Sequence, residues 1–468
     1  MADTTPNYRS ALYTMFSLFF MWGFITCMND ILIPYLKEVF TLSYTQAMLV
    51  QFAFFGAYTI GSLIYFLFSL AGIDPIERVG YKTGILVGLV ISAISCALFY
   101  PAAEFQVYGY FLAALFLLGI GFTILQIAAN PYVAILGPSS TASSRLNLAQ
   151  GFNSFGTTIA PLIGGYLVFE FFAGPGGELS AESVKTPYLI FAGLFVLLGI
   201  FIAFSKLPEI KNDEKIEAGL GALKYPFLIL GGLAIFAYVG GEVAVGSTLI
   251  NYLELPEVAG MEKSKADIFL AFYWGGAMIG RFVGAVSLGK KLTVQLMITM
   301  VGVALGFFAV VFLAAYLKSE GTLTLTEMLP FLIFVGLNLV GFVIGRSLPA
   351  RTLGVFAGVN VLLLIIAINS TGPVAMWTII GMGLFNSIMW SNIFTLAIEG
   401  LGKYTSQGSS VLVMMILGGA LVPLIQGAVA DSTGDLQFSM IVPIFCYLYL
   451  VFYGLKGADI GKPQNSDS

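Results

Sequence analysis

The sequence contains no histidine and little charge: Lys and Arg supply 21 of its 468 residues and Asp and Glu 25, together 10%. A soluble domain carries about a quarter charged residues, so an ordinary water-facing surface is excluded. Without imidazole there is no His-based zinc site, no His-ligated haem and no His-dependent triad. The three cysteines, Cys27, Cys96 and Cys446, each stand inside an apolar stretch. They imply no disulfide framework and no redox compartment. The formal net charge of −4 carries little information where most of the surface meets lipid.

Apolar residues make up 58% of the chain, with 41 Phe and 54 Gly. Abundant glycine suits close helix–helix contact in lipid. A spanning helix needs about 20 largely apolar residues. Such stretches occur at 12–36, 46–70, 83–101, 108–137, 146–172, 187–205, 226–253, 266–288, 293–317, 328–345, 352–369, 373–400, 406–430 and 437–455. The short polar start, MADTTPNYRS, runs into the first of them with no small-residue cleavage site. It reads as a retained helix and not a signal peptide. The only extended charged loop is Ser205–Pro226, which holds Lys206, Lys211, Lys215 and Lys224 beside Glu209, Asp213, Glu214 and Glu217. It divides six stretches from eight. With the N-terminus in the cytoplasm, five basic residues fall outside (Lys37, Lys185, Lys263, Lys265, Lys318), and the rest of the 21 fall inside. By the positive-inside rule both termini and the central loop are then cytoplasmic.

Sliding one half over the other reveals a repeat. Gly23 matches Gly240, Tyr35 matches Tyr252 and Leu36 matches Leu253 at an offset of 217; Gly56/Gly275 and Gly61/Gly280 agree at 219. The offset then rises to 270 for Gly84/Gly354 and Gly88/Gly358, and settles at 262 for Gly119/Gly381, Asn130/Asn392 and Pro161/Pro423. An insertion therefore lies between the eighth stretch and Thr352, and the stretches at 293–317 and 328–345 fill it. The expected architecture is an all-α polytopic membrane protein: two six-helix repeats plus a two-helix insert at about 292–346. Its divisions are an N-terminal domain 1–206, a linker 207–225 and a C-terminal domain 226–468.

Ionisable groups at membrane depth are costly and mark function by default. Asp30 stands in TCMNDILIP and Glu242 in YVGGEVAVG, on repeat-mate helices. Gly23 and Gly240–Gly241 nearby predict loosened helices with free carbonyls, a usual feature of transporter sites. Arg281, roughly two turns from Lys290, is read as snorkelling to the cytoplasmic face. The cluster Asp74, Glu77, Arg78 and Lys82 in a short turn is expected to latch helices. Gln126, Asn130, Gln150, Asn153, Asn386 and Asn392 are mid-span amides, each of which needs a partner or a cavity. Amides bond hydroxyls in both directions, and an indole covers the apolar face of a pyranose, so Trp22 and Trp390 are stacking candidates. Together these suit a neutral polyhydroxyl ligand. An ion-translocating subunit would string charges along several helices, and a lipid or drug exporter would carry few amides.

The segments NDILIPYLKEVF (29–40), LQIAANPYVAILGP (125–138), RLNLAQGFNSFG (145–156), GLFNSIMWSNIFTLAIEGLG (383–402) and GSSVLVMMILGGALVPLIQG (408–427) resemble the fucose:proton symporter family of the major facilitator superfamily. That family also contains the bacterial glucose/galactose transporters. The resemblance implies a twelve-helix core with alternating access that imports a hexose, or a fucose-like deoxyhexose or N-acetylhexosamine, with a cation. It implies no enzyme, no cofactor and no nucleic-acid partner. It implies a monomer in the bacterial inner membrane whose partners are the sugar and the lipid bilayer. The family's first-helix aspartate falls on Asp30. Fucose-type members carry a further acid in a fourth-helix motif LE-x-A-A-N-P, and Gln126 stands there instead, which matches the glucose/galactose type. Glu242 is then the candidate second carboxyl for ion coupling. Gln126, Asn130, Gln150, Asn153, Asn386, Trp22, Trp390 and Thr26 are the expected sugar contacts. Proton coupling asks for a buried carboxyl at Asp30. Sodium coupling asks for oxygens around it, which Thr26, Asn29 or unwound carbonyls offer.

Overall fold

Apolar segments in lipid have no water to satisfy their amides, so the backbone must close its own hydrogen bonds as helix. The computed structural model describes residues 8–42, 44–167, 181–209, 218–261 and 263–461. All regular structure among them is helical. The first half holds α1 Arg9–Val39, α2 Tyr44–Leu70, α3 Pro75–Val79, α4 Tyr81–Phe105, α5 Tyr108–Ile135, α6 Ala142–Tyr166 and α7 Lys185–Phe204. The second holds α8 Pro226–Glu254, α9 Lys263–Ser287, α10 Val294–Lys318, α11 Leu329–Ile344, α12 Pro349–Asn369, α13 Gly372–Asn386, α14 Met389–Ile398, α15 Thr405–Met414, α16 Gly418–Thr433, α17 Leu436–Ser439 and α18 Ile441–Leu455. Each expected stretch is occupied by helix; the part of the fifth beyond 167 lies outside the described residues. Among the described residues, thirteen helices are long and apolar enough to cross a membrane. The span missing from that set is α6, whose Asn147, Gln150, Asn153, Ser154, Thr157 and Thr158 dilute its hydropathy.

The helix breaks lie elsewhere than expected. The glycines predicted to loosen the first and seventh spans do not: α1 runs unbroken past Gly23 and α8 past Gly240–Gly241. Glycine there permits close packing. A Cβ on Gly240 would collide with Val422, and one on Gly418 would overlap the Phe236 carbonyl. Among the described residues other spans are interrupted, two of them near mid-length. The first parts α13 from α14 at Ser387–Ile388, and the second passes through one 3₁₀ turn, Met415–Leu417, between α15 and α16. Just before the first break, Gly383 lies where a Cβ would overlap the Tyr273 carbonyl. Gly383→Val is therefore expected to cost at least about 1–3 kcal/mol through overpacking, read as a lower melting temperature in detergent.

The chain divides into two compact units. The first comprises Met1–Ala142, Ile159–Gly221 and Gly402–Met414, and the second Ser143–Thr158, Ala222–Leu401 and Met415–Ser468. Within the first unit the charged turn does latch helices. The Asp74 carboxylate accepts from the Tyr65 hydroxyl at 2.5 Å and from the Ile76 N–H at 2.9 Å. The Lys82 ammonium donates to the carbonyls of Ala203 and Ser205, at 2.8 and 2.9 Å, and so ties α4 to the end of α7. The Glu77 side chain lies outside the described residues.

Within the second unit, burial separates centre from rim. The span of α8 is 72% buried and that of α10 only 22%, so α10 meets lipid. The inserted pair packs on one side of this unit. Phe307 of α10 stacks on Phe282 of α9 with centroids 3.8 Å apart. On α11, Phe334 and Gly341 seat against Gly381 of α13 and Phe356 of α12 respectively.

Candidate functional site

In the first unit, Trp22, Thr26 and Asp30 follow one another at intervals of four on α1, the spacing that stacks residues on one helix face. Trp22 is buried, with its ring 5.3 Å from Phe19 and 6.3 Å from Phe122 of α5. The Thr26 hydroxyl donates to the Trp22 carbonyl at 2.8 Å, so its proton is committed to its own helix while its oxygen can still accept. The Asp30 and Asn29 side chains lie outside the described residues. Across from α1, Asn130 donates through Nδ2 to Gln126 Oε1 at 3.1 Å, and both amides are buried. The Tyr58 hydroxyl of α2 lies close enough to Gln126 and Trp22 to interact with both. Trp22, Gln126 and Asn130 thus belong to one polar cluster in an otherwise apolar bundle.

The second unit holds a larger network. Glu242 is buried on α8 and accepts from the Tyr238 hydroxyl at 2.7 Å. The Tyr273 hydroxyl of α9 donates to the Glu242 carbonyl at 3.1 Å and accepts from Asn386 Nδ2 at 2.9 Å. Asn386 Oδ1 in turn accepts from Asn360 of α12 at 2.7 Å and from Tyr447 of α18 at 2.8 Å. Asn386 is fully buried, and these partners occupy most of its amide. Buried carboxylates are destabilising unless compensated. Burial is the larger effect at Glu242, and the Arg281 charge and the Tyr238 hydroxyl offset part of it.

Arg281 departs from its expected snorkelling. Its Nε donates to the Ser387 carbonyl at 3.0 Å, at the break after α13, and Nη1 donates to the Ser154 hydroxyl and, at 3.5 Å, to the Gln150 carbonyl. The guanidinium is a rigid five-donor fork. Backbone carbonyls freed in mid-membrane need such a donor, so the break and the arginine satisfy each other. Gln150 is buried and Asn153 half-buried on the α6 segment that belongs to this unit. Trp390, one residue past the start of α14, is 7% exposed and stacks on Phe394 with centroids 6.1 Å apart. Its indole N–H is buried without a hydrogen-bond acceptor among the described residues. A buried donor left unpaired is costly and is what an oxygen-rich ligand would satisfy. Asn392 is used structurally: it donates to the Pro349 carbonyl at 3.0 Å and accepts from Asn147 at 3.1 Å.

The structure thus links Glu242 with Asn386 through Tyr273, and Gln150 with Arg281. It places Trp22, Thr26, Gln126, Asn130 and the backbone of Asp30 in the first unit. Sequence reasoning missed Tyr58, Tyr238, Tyr273, Tyr447 and Asn360. The one available signal was the chain's 22 tyrosines, several of them at mid-span, where each hydroxyl needs a partner.

Membrane-length apolar helices that enclose buried amides and tyrosines in each unit, with a buried acid in the second, define the class of a polytopic membrane transporter. The family model described as Major Facilitator Superfamily matches residues 13–348, and the chain belongs to that superfamily. It is 44% identical over 459 residues to the "Glucose/galactose transporter" of Brucella abortus biovar 1 (strain 9-941), an alignment covering 97% of this chain and 96% of that one. It is 30% identical over 475 residues to the "L-fucose-proton symporter" of Escherichia coli (strain K12), covering 97% and 94%. These similarities place it in the fucose:proton symporter family, on the glucose/galactose transporter side. Among solved structures it is similar to FucP, a major facilitator superfamily transporter, in the outward conformation. There the TM-score is 0.73 and the identity 29%, over 96% of this chain and 99% of that one.

Proposed function

We propose that this protein imports a hexose of the glucose/galactose type together with a proton, by alternating access between an N-terminal domain (1–206) and a C-terminal domain (226–468) joined by the linker 207–225. The observation that carries the reading is the end-to-end similarity to a glucose/galactose transporter, in a chain where Gln126 stands at the position of the fucose type's fourth-helix acid. Asp30 binds the coupling ion. Glu242 assists from the second domain, or its carboxylate and the tyrosines around it bond sugar hydroxyls. Gln126, Asn130, Gln150, Asn153 and Asn386 supply amides to the sugar or to the groups that hold it. Trp22 and Trp390 cover its ring, with the unpaired Trp390 N–H donating to a hydroxyl. The sugar crosses chemically unchanged, so the protein is not an enzyme and needs no cofactor. It works as a monomer in a bacterial inner membrane with both termini cytoplasmic.

A second reading, a fucose or related deoxyhexose symporter, is favoured by the similarity to the Escherichia coli protein. Reconstitution into proteoliposomes separates the two. Under an inward proton gradient, labelled glucose and galactose are expected to accumulate, and a sodium gradient alone is expected to drive nothing. Accumulation of fucose in their place would select the second reading, and sodium-driven uptake would move the coupling ion from proton to sodium.

A further inference from the structure

The inserted pair of helices, α10 and α11, has no counterpart in the first half of the sequence, and α10 is largely turned to lipid. Yet α11 carries one amide, Asn338, in the middle of LIFVGLNLVGFVI, and it is 1% exposed. An amide inside an apolar helix is a burden unless it has a specific partner. Asn338 has one: its Nδ2 donates to the Leu384 carbonyl at 2.9 Å. That carbonyl also accepts from the Ser387 hydroxyl at 2.6 Å. It lies two residues before Asn386 and three before the break, on whose Ser387 carbonyl Arg281 is fastened. Two turns of α11 grip the same stretch, for Phe334 covers Gly381 and Phe331 lies 6.4 Å from Trp377. The break is therefore held by Arg281 from α9 and by Asn338 from the insert.

From this geometry we infer that the inserted hairpin is a positioning element for the transport site. Asn338 fixes the carbonyl of Leu384 and with it the register of the Ser387–Ile388 break, and so aims Asn386 and Trp390. The inference rests on the sugar-transport reading, because it is through the aim of these two residues that it acts. Asn338 touches no substrate; it acts through the bent helix. A brace that served stability alone would leave sugar affinity unchanged when cut, whereas a positioning brace would not.

The test is Asn338→Leu in the full-length protein, with labelled glucose or galactose binding in detergent, uptake in proteoliposomes and thermal melting measured together. Leaving the Leu384 carbonyl with only Ser387 is expected to raise the half-saturation concentration about tenfold, the equivalent of one distorted or lost hydrogen bond, with maximal uptake changed less. Asn338→Ser, which keeps a hydroxyl donor in a smaller volume, is expected to recover part of the affinity. A lowered melting temperature with unchanged half-saturation overturns the inference. If the leucine variant does not fold, the serine variant decides: a rise of threefold or more supports positioning, and an unchanged value overturns it. Failure of the unsubstituted protein to bind either sugar counts against the transport reading itself, a different outcome from normal binding by both variants.

Discussion

Arg281→Met is expected to destabilise the protein by about 1–3 kcal/mol, the range found when a buried polar group is left without its hydrogen-bond partner. Three losses converge. Glu242 is buried on α8, where its carboxyl group accepts from the Tyr238 hydroxyl, and the Arg281 charge offsets part of the cost of that burial. The Ser387 carbonyl, freed at the break, loses its donor, and so does the Ser154 hydroxyl. Methionine replaces the volume of the side chain and none of these functions. The measurement is thermal unfolding of detergent-purified protein alongside the yield of monodisperse material. Adding Glu242→Gln to Arg281→Met removes the uncompensated charge and is expected to restore part of the stability. It cannot restore all of it, because Ser387 stays unpaired. The cycle of single and double variants isolates the coupling between the two side chains. Equal stability of Arg281→Met and the parent would show that the pair does not compensate charge.

The spans were legible because lipid makes hydropathy nearly sufficient: a long apolar segment there has helix as its accessible state. The insertion was legible for a different reason. A jump in repeat offset between Gly56/Gly275 and Gly84/Gly354 needs no knowledge of packing. The helix breaks were not legible, and the reason is instructive. Gly240–Gly241 carries the local signature of a loosened helix, yet α8 continues through it, since the surrounding helices use the missing side chains for contact. The break at Ser387–Ile388 has no glycine at its centre. It is fixed by groups distant in sequence, Arg281 and Asn338, whose donors take up carbonyls around the turn. The direction of Arg281 does not follow from its distance along the chain to Lys290. What decides its direction is an acceptor more than a hundred residues away.

The polar network shows the same division. Acids and amides stand out against an apolar background, so Glu242, Gln126 and Asn386 could be named from the sequence. The tyrosines that join them could not, because hydropathy counts a phenol ring as apolar and one tyrosine in a span resembles another. Only packing shows that Tyr273 joins α8 to α13 while Tyr447 joins α18 to the same asparagine. Sequence identified the expensive groups, and structure showed which of them meet the cost by bonding to each other.

Asp30→Asn is expected to abolish accumulation while sparing exchange. Asp30 stands on α1, eight residues after Trp22 and four after Thr26. Among the groups assigned to the first unit's site, it is the one that can carry a proton. A pH difference of one unit is worth about 1.4 kcal/mol, so a one-to-one proton symporter can accumulate sugar to about tenfold over the outside. Asparagine keeps the shape and the hydrogen bonds of a protonated aspartate but cannot release a proton. Sugar can then still cross in both directions down its own gradient, and the accumulation ratio falls from about ten to one. Counterflow of labelled sugar in the same vesicles checks that the protein still folds and turns over. Retained accumulation in Asp30→Asn would remove Asp30 from coupling. If Glu242→Gln then lost it, the coupling acid would lie on α8, inside the network that Arg281 compensates, and the two acids would exchange the roles assigned to them.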